Sequence, residues 1–287
     1  MIIDAHAHLW KKQKGIVNGK PVFDIGGGKS NFGGEIRQMM PPYMTDGENT
    51  VERFLANMDY AGVSGAVITQ EYIDGNQDEY LFSCKSNRIK ICCLYEEKPL
   101  GNVSGFDGIK ICAGRLADKN LLNHIEPFKI ANDNGKFISI DLADGNEQTK
   151  MMQEIIDMFP ELKIAIGHFG MVTRDGWLEQ IKLAKNQNVF IESGGITWLF
   201  HSEFYPYPSA VKAINEAASV VGYEKLMWGS DYPRTMTAIT YKMSLDFIEK
   251  TSEISAENKK LILGENAVKF YGFKDLPIPE KIINMVE

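Results

Sequence analysis

Two kinds of segment alternate along this chain. Short runs rich in β-branched and apolar residues recur at 2–8, 64–69, 89–95, 107–112, 137–142, 162–168, 189–193 and 226–231. Between most of them, apolar residues repeat with the 3.6-residue period of an amphipathic helix, most clearly at 51–58, 151–158, 211–221 and 241–248. Strands that alternate with helices in this way predict a parallel sheet.

The predicted strands are apolar between their ends. Gly65–Gln70 and Lys163–Gly167 have mostly apolar or small interior residues, as expected of strands that helices cover on both faces. Eight such units in 287 residues fit a single β/α barrel. An open doubly wound sheet has the same local signature, and periodicity does not distinguish the two folds.

Composition narrows the class of protein without changing the fold prediction. The hydrophobic fraction of 44% is typical of a globular domain rather than a disordered chain. A formal net charge of −7 disfavours a nucleic-acid or anionic-membrane partner, because such surfaces attract basic patches. No apolar run has the length of a membrane span, and the strand pattern begins at residue 2, so we expect neither a membrane segment nor a cleaved leader.

The cysteines indicate a reducing compartment. Cys84, Cys92, Cys93 and Cys112 form no Cys-x-x-Cys pair, and adjacent Cys92 and Cys93 would point to opposite faces of a strand. Neither a zinc knuckle nor a disulfide framework is indicated. We therefore expect reduced core thiols in a cytoplasmic protein.

Two histidines stand near the amino terminus, in Ile2-Ile-Asp-Ala-His6-Ala-His8-Leu9. Side chains on a strand repeat every second residue, so both imidazoles would lie on one face at its carboxyl end. A pair placed in this way can bind one metal ion. The alternative is two ordinary histidines in a surface hairpin.

Ionisable side chains recur at the ends of the predicted strands. They are His6 and His8 on the first strand, Lys110 on the fourth, Asp141 on the fifth, His168 on the sixth, Glu192 on the seventh and Asp231 on the eighth. Burial of such groups without partners is costly, and active sites of β/α barrels form where the carboxyl ends of the strands converge. The pattern therefore predicts one shared site.

Two of these residues are candidates for catalysis. Asp231 follows an apolar strand within Leu226–Arg234, where it could bind metal, accept a proton or cap the next helix. His168 has Gly167 and Gly170 nearby, which would let a ligand approach the backbone closely. The alternative for His168 is a hydrogen-bonded core histidine.

Taken in order, His6-Ala-His8, His168 and Gly229–Pro233 resemble the motifs of the amidohydrolase superfamily. The closer likeness is to its amidohydrolase-related branch, which includes aminocarboxymuconate semialdehyde decarboxylase-like enzymes and several lactonases. Leu261–Tyr271 is similar to the closing helix of that branch, so the resemblance spans nearly the whole chain. It implies a single distorted (β/α)8 TIM barrel with an insertion after the first strand.

The resemblance also implies one divalent metal ion, zinc or manganese, held by three or four of His6, His8, Asp141 and Asp231. The decarboxylase-like relatives carry a further metal-binding histidine at the end of the fifth strand, where this chain has Asp141. That residue could serve as an oxygen ligand, or the site could work without metal, as in some lactonases of the branch. An acidic residue at this strand end is also more similar to the pattern of the lactonases, and this favours hydrolysis over decarboxylation.

Four residues are candidates for substrate binding. Lys110, Arg115 and Arg234 lie at or just beyond strand ends, where cations could orient a carboxylate substrate or simply face solvent. His201 belongs to a long seventh loop, 194–208, whose aromatic residues could form a pocket wall or pack on the barrel. His124 lies in a helix-like stretch, and we leave it out of the site.

The segment 11–49 breaks the rhythm of strands and helices. We predict that this glycine-rich insertion arches over the barrel mouth as a lid or forms a subunit contact in a homo-oligomer. Gly26–Ser30 suggests a phosphate-binding loop, but the first glycine of that motif is replaced by Phe23 and no clear helix follows. A turn is the better interpretation.

These observations predict a metal-dependent hydrolase that cleaves a lactone or another cyclic ester or amide of a small organic acid. Asp231 would take a proton from water and return it to the leaving group, while His168 would stabilise charge on the carbonyl oxygen. A metal-dependent nonoxidative decarboxylase of an aromatic or muconate-type acid is the enzymatic alternative. A noncatalytic metabolite-binding barrel is the alternative of another class.

Overall fold

A computed structural model describes residues 1–280, 283 and 285 of this chain. Its strands are β1 (Ile3–His8), β2 (Lys14–Val17), β3 (Lys20–Asp24), β4 (Lys29–Phe32), β5 (Glu35–Gln38), β6 (Gly65–Thr69), β7 (Ile89–Leu94), β8 (Gly108–Ile111), β9 (Phe137–Ile140), β10 (Ile164–Ile166), β11 (Val189–Glu192) and β12 (Leu226–Met227). Its α-helices are α1 (Val51–Ala61), α2 (Asp78–Cys84), α3 (Ile125–Asp133), α4 (Thr149–Met158), α5 (Trp177–Lys182), α6 (Ile196–Leu199), α7 (Pro208–Val221), α8 (Met243–Lys250), α9 (Ala256–Lys260) and α10 (Asn266–Tyr271).

Eight parallel strands form a barrel in the order β1-β6-β7-β8-β9-β10-β11-β12. Its first and last strands meet, because the Ala5 N–H donates to the Trp228 carbonyl at 2.9 Å and the Asp231 N–H donates to the His6 carbonyl at 2.9 Å. The barrel prediction is therefore confirmed and the open doubly wound sheet is wrong. The predicted strand at 226–231 ends already at Met227, and Asp231 has a left-handed backbone with φ of 56°.

The helices on the outside follow the predicted apolar periods. In α1, for example, Phe54 and Met58 are buried, as expected of one apolar face. In α4 the buried face is shifted from the predicted period, because Met152, Ile155 and Ile156 are buried whereas Met158 is 49% exposed. The longest helix, α7, begins at Pro208, whose fixed φ suits a first helical turn, and ends before Gly222. None of the helices in the described part of the chain has the length and apolar character that crossing a bilayer needs.

The interior of the barrel at the amino-terminal half of the strands is closed by α10. Inward-facing strand residues pack there with aromatic residues of α10 and the segment after it. This cluster, the barrel floor, comprises Ile3, Ala5, Val67, Cys92, Phe137, Ala165, Phe190, Met227, Ala267, Phe270, Tyr271 and Phe273. Because the floor is filled, a ligand can enter only from the opposite end of the barrel.

Replacing Phe270 on the barrel floor by alanine should lower the free energy of unfolding by about 3–5 kcal/mol, because a buried ring would leave a cavity. Phe270 is 3% exposed and packs on Phe137 and Phe190. Denaturant unfolding measures the effect. Phe204→Ala is the matched control, since Phe204 is 93% exposed and its loss should change stability by no more than about 0.5 kcal/mol. Equal losses in both variants would contradict the packing described here.

The insertion contains a four-stranded antiparallel sheet, β2-β3-β4-β5, which the sequence patterns did not predict. We call it the insertion sheet. It is joined to the loop after β6, because the Lys14 N–H donates to the Asp74 carbonyl at 3.0 Å and the Ile16 N–H to the Tyr72 carbonyl at 2.8 Å. A Cβ at Gly15 would lie 2.0 Å from the Ile73 carbonyl oxygen, so this junction requires glycine. The insertion is thus fixed to the barrel along one edge.

The glycine-rich stretch of the insertion forms the turn between β3 and β4. Gly26, Gly27 and Gly28 all have positive φ, and the Lys29 N–H donates to the Gly26 carbonyl at 3.2 Å. Lys29 and Ser30 then belong to β4 rather than to a helix. This geometry agrees with a turn and differs from the strand-to-helix setting of a phosphate-binding loop.

Candidate active site

A bulge in β1 turns its histidines into the barrel. Asp4 pairs with Ala66 of β6 and Ala7 pairs with Ile68, so two residues of β1 oppose one residue of β6. Ala5 consequently packs in the barrel floor, while Ala7 belongs to the outer core between strands and helices. The extra residue reverses the side-chain alternation after Ala5. His6 and His8 therefore both face the inside of the barrel.

His6, His8 and Asp231 bring three donor atoms together. The Nε2 atoms of the two imidazoles are 3.1 Å apart, and His8 Nε2 is 2.9 Å from Asp231 Oδ1. His6 Nε2 lies 3.9 Å from the same carboxylate oxygen. All three residues are buried, with exposed fractions of 3% or less. The sequence thus predicted the convergence of strands that are 223 residues apart in the chain.

Glu192 at the end of β11 orients His6 through the ring nitrogen that does not face His8. The His6 Nδ1–H donates to Glu192 Oε1 at 2.6 Å, and the Gly194 N–H donates to Glu192 Oε2 at 2.6 Å. The Gly194 carbonyl in turn accepts a hydrogen bond from His168 Nδ1 at 2.8 Å. One buried carboxylate therefore fixes the orientation of His6 and, through Gly194, that of His168. Partners of this kind typically orient metal-binding histidines.

Asp141 faces Lys110 and His168. Its Oδ2 lies 2.6 Å from the Lys110 ammonium nitrogen and 3.6 Å from His168 Nε2. The Lys110 contact has poor hydrogen-bond geometry, and neither Asp141 oxygen has a hydrogen-bond donor among residues 1–280, 283 and 285. Lys110 is completely buried and does not line the pocket described below. Its position is that of an internal counter-ion rather than the predicted substrate contact.

Glycines leave room for these side chains. A Cβ on Gly167 would lie 2.2 Å from Asp141 Oδ1 and 2.7 Å from Glu192 Oε1. A Cβ on Gly194 would lie 2.7 Å from His168 Nδ1. The approach of a ligand, which the sequence suggests, therefore does not explain the glycine beside His168, because the space at Gly167 is filled by two carboxylates.

Burial and neighbouring charges shift the protonation of the site. Burial, together with the nearby Arg234 cation, lowers the pKa of His8 to about 3, so this imidazole is neutral. Burial opposes ionisation of Asp231, but the hydrogen bond from His8 and nearby cations outweigh it and lower the pKa of the carboxyl group. Burial likewise disfavours a charged His168, yet the Asp141 carboxylate raises its pKa to about 10.

The donor set fits a zinc-like ion. Four ligands at about 2.0–2.1 Å from zinc hold their donor atoms roughly 3.3 Å apart. The three separations among His6, His8 and Asp231 are 3.1, 2.9 and 3.9 Å. Nitrogen and carboxylate donors suit zinc or manganese. The carboxylate of Asp141 lies close by, because ligand atoms of His6, Asp141 and His168 fall within 4.8 Å of one another.

A pocket of about 700 Å³ opens above these residues at the carboxyl ends of the strands. Its wall includes His8, Asp141, His168, Trp198 and Asp231 from the barrel, and Phe32, Arg37 and Gln38 from the insertion sheet. Three further cations, Arg115, Lys119 and Arg234, line it. The predicted arching of the insertion over the barrel mouth agrees with this arrangement, whereas its action as a lid stays a prediction.

The two predicted arginines are held by buried carboxylates. Arg115 Nε lies 2.8 Å from Glu71 Oε1, and Arg234 Nη2 lies 2.6 Å from Asp74 Oδ2. The Nε and Nη1 atoms of Arg234 have no hydrogen-bond partner in the described part of the chain. Asp74 also accepts a hydrogen bond from Gln13 at 3.1 Å, which links Arg234 to the insertion. Arg234 is therefore fixed in place, and its Nε and Nη1 atoms can still donate hydrogen bonds to a ligand.

The structure does not bring His201 to the pocket. Its side chain is exposed on the seventh loop, and its Nδ1 contacts the Trp198 carbonyl at 3.0 Å. Trp198 is the residue of this loop that reaches the site, because its indole N–H donates to Asp231 Oδ2 at 2.8 Å. In the sequence, Trp198 is only one of several aromatic residues of a long loop. Glu192 has no predicted role, although its place at a strand end is a signal for one.

Comparison with solved structures agrees with the fold. An amidohydrolase from Burkholderia multivorans with bound zinc superposes with a TM-score of 0.67 at 16% identity, over 96% of this chain and 100% of that one. A probable 2-pyrone-4,6-dicarboxylic acid hydrolase from Acinetobacter baumannii, with citric acid bound, has a TM-score of 0.66 at 18% identity, over 95% and 99%.

A third similar structure is a decarboxylase. The 5-carboxyvanillate decarboxylase from Novosphingobium aromaticivorans, with bound manganese and 3-methoxy-4-hydroxy-5-nitrobenzoic acid, has a TM-score of 0.54 at 17% identity, over 77% of this chain and 80% of that one. At these identities the three likenesses establish the fold alone. No curated protein matches the sequence.

The family is shown by the sequence itself. Residues 105–273 match the family model described as amidohydrolase, which is more than half of the chain. This match includes His168, Glu192 and Asp231 but not the histidine pair of β1. The resemblance first seen in short motifs is therefore confirmed, and this chain belongs to the amidohydrolase family.

Proposed function

We propose that this protein is a hydrolase that opens a lactone or another cyclic ester or amide of a small organic acid, with the help of one divalent metal ion. The observation that carries the proposal is the convergence of His6, His8 and Asp231 at the base of a pocket. Arg234 has two donor atoms with which no described residue pairs, lines the same pocket and suits an anionic substrate.

The chemistry follows from the positions of these side chains. A divalent ion held by His6, His8 and Asp231 would supply Lewis-acid polarisation of a carbonyl and acidify water. Asp231, which is ionised, takes a proton from water as the water oxygen attacks the carbonyl carbon. His168 donates a hydrogen bond to the carbonyl oxygen as charge develops there. The ring carbon–oxygen or carbon–nitrogen bond then breaks, and Asp231 returns its proton to the leaving atom.

The comparisons support a hydrolase somewhat more than a decarboxylase. The structure of the probable hydrolase from Acinetobacter baumannii matches 95% of this chain, whereas the decarboxylase matches 77%. Asp141, rather than a histidine, also stands at the end of β9. Decarboxylation is the second candidate, because a pocket with several cations could equally hold a carboxylated aromatic ring.

Product analysis tests the proposal. The purified protein, supplied with zinc or manganese, is incubated with a panel of carboxylated lactones that includes 2-pyrone-4,6-dicarboxylate, and separately with 5-carboxyvanillate. Mass spectrometry should find a ring-opened acid that has gained one water. Release of carbon dioxide would instead establish the decarboxylase. Binding of these compounds without turnover, with an affinity that His168→Asn and Asp231→Asn leave unchanged, would favour the noncatalytic barrel.

Metal content provides a prediction independent of turnover. The purified protein should contain roughly one zinc or manganese ion per chain after loading and desalting, because three buried donors converge. A His6→Ala/His8→Ala variant should lose nearly all of it by elemental analysis. His201→Ala is the matched control and should retain the metal, because His201 is exposed. Equal and negligible metal in all three proteins would overturn the metal assignment and leave a metal-free lactonase.

A further inference from the structure

The insertion sheet has one free edge. Its strand β2 is joined to the loop after β6, whereas β5 pairs only with β4 among residues 1–280, 283 and 285. All four residues of β5 are exposed. An exposed edge strand is a template for pairing with another chain. The question is which partner the edge of β5 fits.

The backbone of β5 determines how it can pair. Ser30 is opposite Arg37 and Asn31 is opposite Ile36, and the Met39 N–H extends this register with a hydrogen bond to the Gly28 carbonyl at 2.9 Å. Hydrogen-bonded pairs alternate along an antiparallel ladder. Met39 and Gly28 form a hydrogen-bonded pair, so the next such pair along the ladder is Arg37 and Ser30. The N–H and C=O groups of Ile36, which lies in between, therefore point away from β4. The free groups are therefore centred on Ile36.

The side chains of β5 are complementary to a second copy of the same strand. If two β5 strands pair antiparallel about Ile36, the Ile36 residues oppose each other, and Glu35 of each strand opposes Arg37 of the other. Opposite charges directly across a ladder stabilise it, while like charges destabilise it. Within one chain Glu35 and Arg37 already form an ion pair at 2.7 Å. In the pair of strands, the four charges would alternate in sign around a square.

Ile36 gives the pairing an apolar centre. It is 65% exposed, which is unusual for an isoleucine at the middle of a strand, and it shares the outward face of the insertion sheet with Phe23 and Ile16. Pairing about Ile36 would place two isoleucine side chains next to each other and remove part of their surface from water. The edge, the charges and the apolar residue thus indicate the same partner.

We propose that two copies of this chain associate through antiparallel pairing of their β5 strands, centred on Ile36, to form one continuous eight-stranded sheet. This interface adjoins the pocket, because Arg37 and Gln38 of β5 also line it. Association would fix this wall of the pocket on both copies. The proposal does not depend on the reaction that the pocket catalyses.

Sedimentation velocity of the full chain tests the proposal. Over roughly 1–200 µM the protein should show a concentration-dependent dimer, since a short edge gives a modest interface. Glu35→Arg and Arg37→Glu should each weaken association by about tenfold, because each creates two pairs of like charges. The double variant Glu35→Arg/Arg37→Glu should restore it. Lys129→Glu, a matched reversal at an exposed position of α3, should have no effect.

A thiol at the centre of the interface supplies a second readout. Ile36→Cys should form a disulfide-linked dimer under mild oxidation, because opposed residues in a ladder lie within the Cα separation that a disulfide spans. The native cysteines are buried and should not compete. A protein that is monomeric up to about 200 µM would overturn the proposal. A dimer that withstands both charge reversals would also overturn it. If Phe23→Lys abolishes the dimer while the charge reversals do not, the two copies pack through the outward faces of their insertion sheets instead of through their edges.

Discussion

Asp231→Asn should lower kcat/KM by about 10²–10⁴-fold, the contribution of a positioned general base. Asparagine has the shape of aspartate and can still accept the indole hydrogen bond from Trp198, so the fold should be unchanged. It cannot take the proton of the attacking water. Steady-state kinetics on whichever substrate the product analysis identifies measures the loss, and the effect should appear mainly in kcat.

The control for Asp231 is another carboxylate of the same pocket. Asp144 lines the pocket wall but is paired with Arg174 at 3.1 Å and half exposed. Asp144→Asn should change kcat/KM by less than about tenfold, because it removes no proton acceptor from the reaction. If Asp231→Asn is no more impaired than Asp144→Asn, Asp231 is not the base.

Lys110→Met should cost about 3–5 kcal/mol in the free energy of unfolding, because it leaves a buried carboxylate without its counter-ion. Methionine preserves most of the volume of the lysine side chain, so the loss reports on charge rather than packing. Lys110 is completely buried 2.6 Å from Asp141. The attraction of Asp141 outweighs the opposing effect of burial and raises the pKa of Lys110, which therefore remains a cation. Denaturant unfolding at neutral pH measures the change.

Two comparisons separate the ion pair from other effects. Lys129→Met removes a lysine from an exposed pair with Asp133, at 2.7 Å, and should change stability by less than about 1 kcal/mol. Adding Asp141→Asn to Lys110→Met should recover much of the loss, since the uncompensated charge is gone. If Lys110→Met costs no more than Lys129→Met, or if the double variant is less stable than the single one, the buried pair is not what holds this region together.

Much of the fold could be predicted because it depends on periodicity. A strand such as β9 that helices cover on both faces must be apolar, and α4 must carry one apolar face, so both are visible in one sequence. The strands of the insertion sheet are four or five residues long, polar and separated by glycines, and they give no comparable signal. Closure of the barrel depends on contacts between β1 and β12, which no local pattern contains.

The candidate site was predictable to the extent that strand ends converge. His6, His8 and Asp231 were found because histidines and carboxylates are unusual at the tails of apolar strands. Which ions pair with each other was not predictable, because Lys110 is an interior counter-ion only by virtue of where β9 brings Asp141. The exposure of His201 depends in the same way on the path of a long loop. The catalytic and binding roles of the residues in the candidate site stay predictions.

The bulge in β1 shows how a packed barrel can hold a reactive centre without a change of topology. With regular alternation after Ala5, Ala7 would face inward and the two imidazoles would be driven among the aliphatic side chains outside. Residue-for-residue pairing of the same sequence with β6 after Asp4, without the bulge, would therefore exchange a ligand-binding lining for an inert one. In this chain, one extra residue in β1 determines whether imidazoles or an alanine side chain line the interior of the barrel at this strand end.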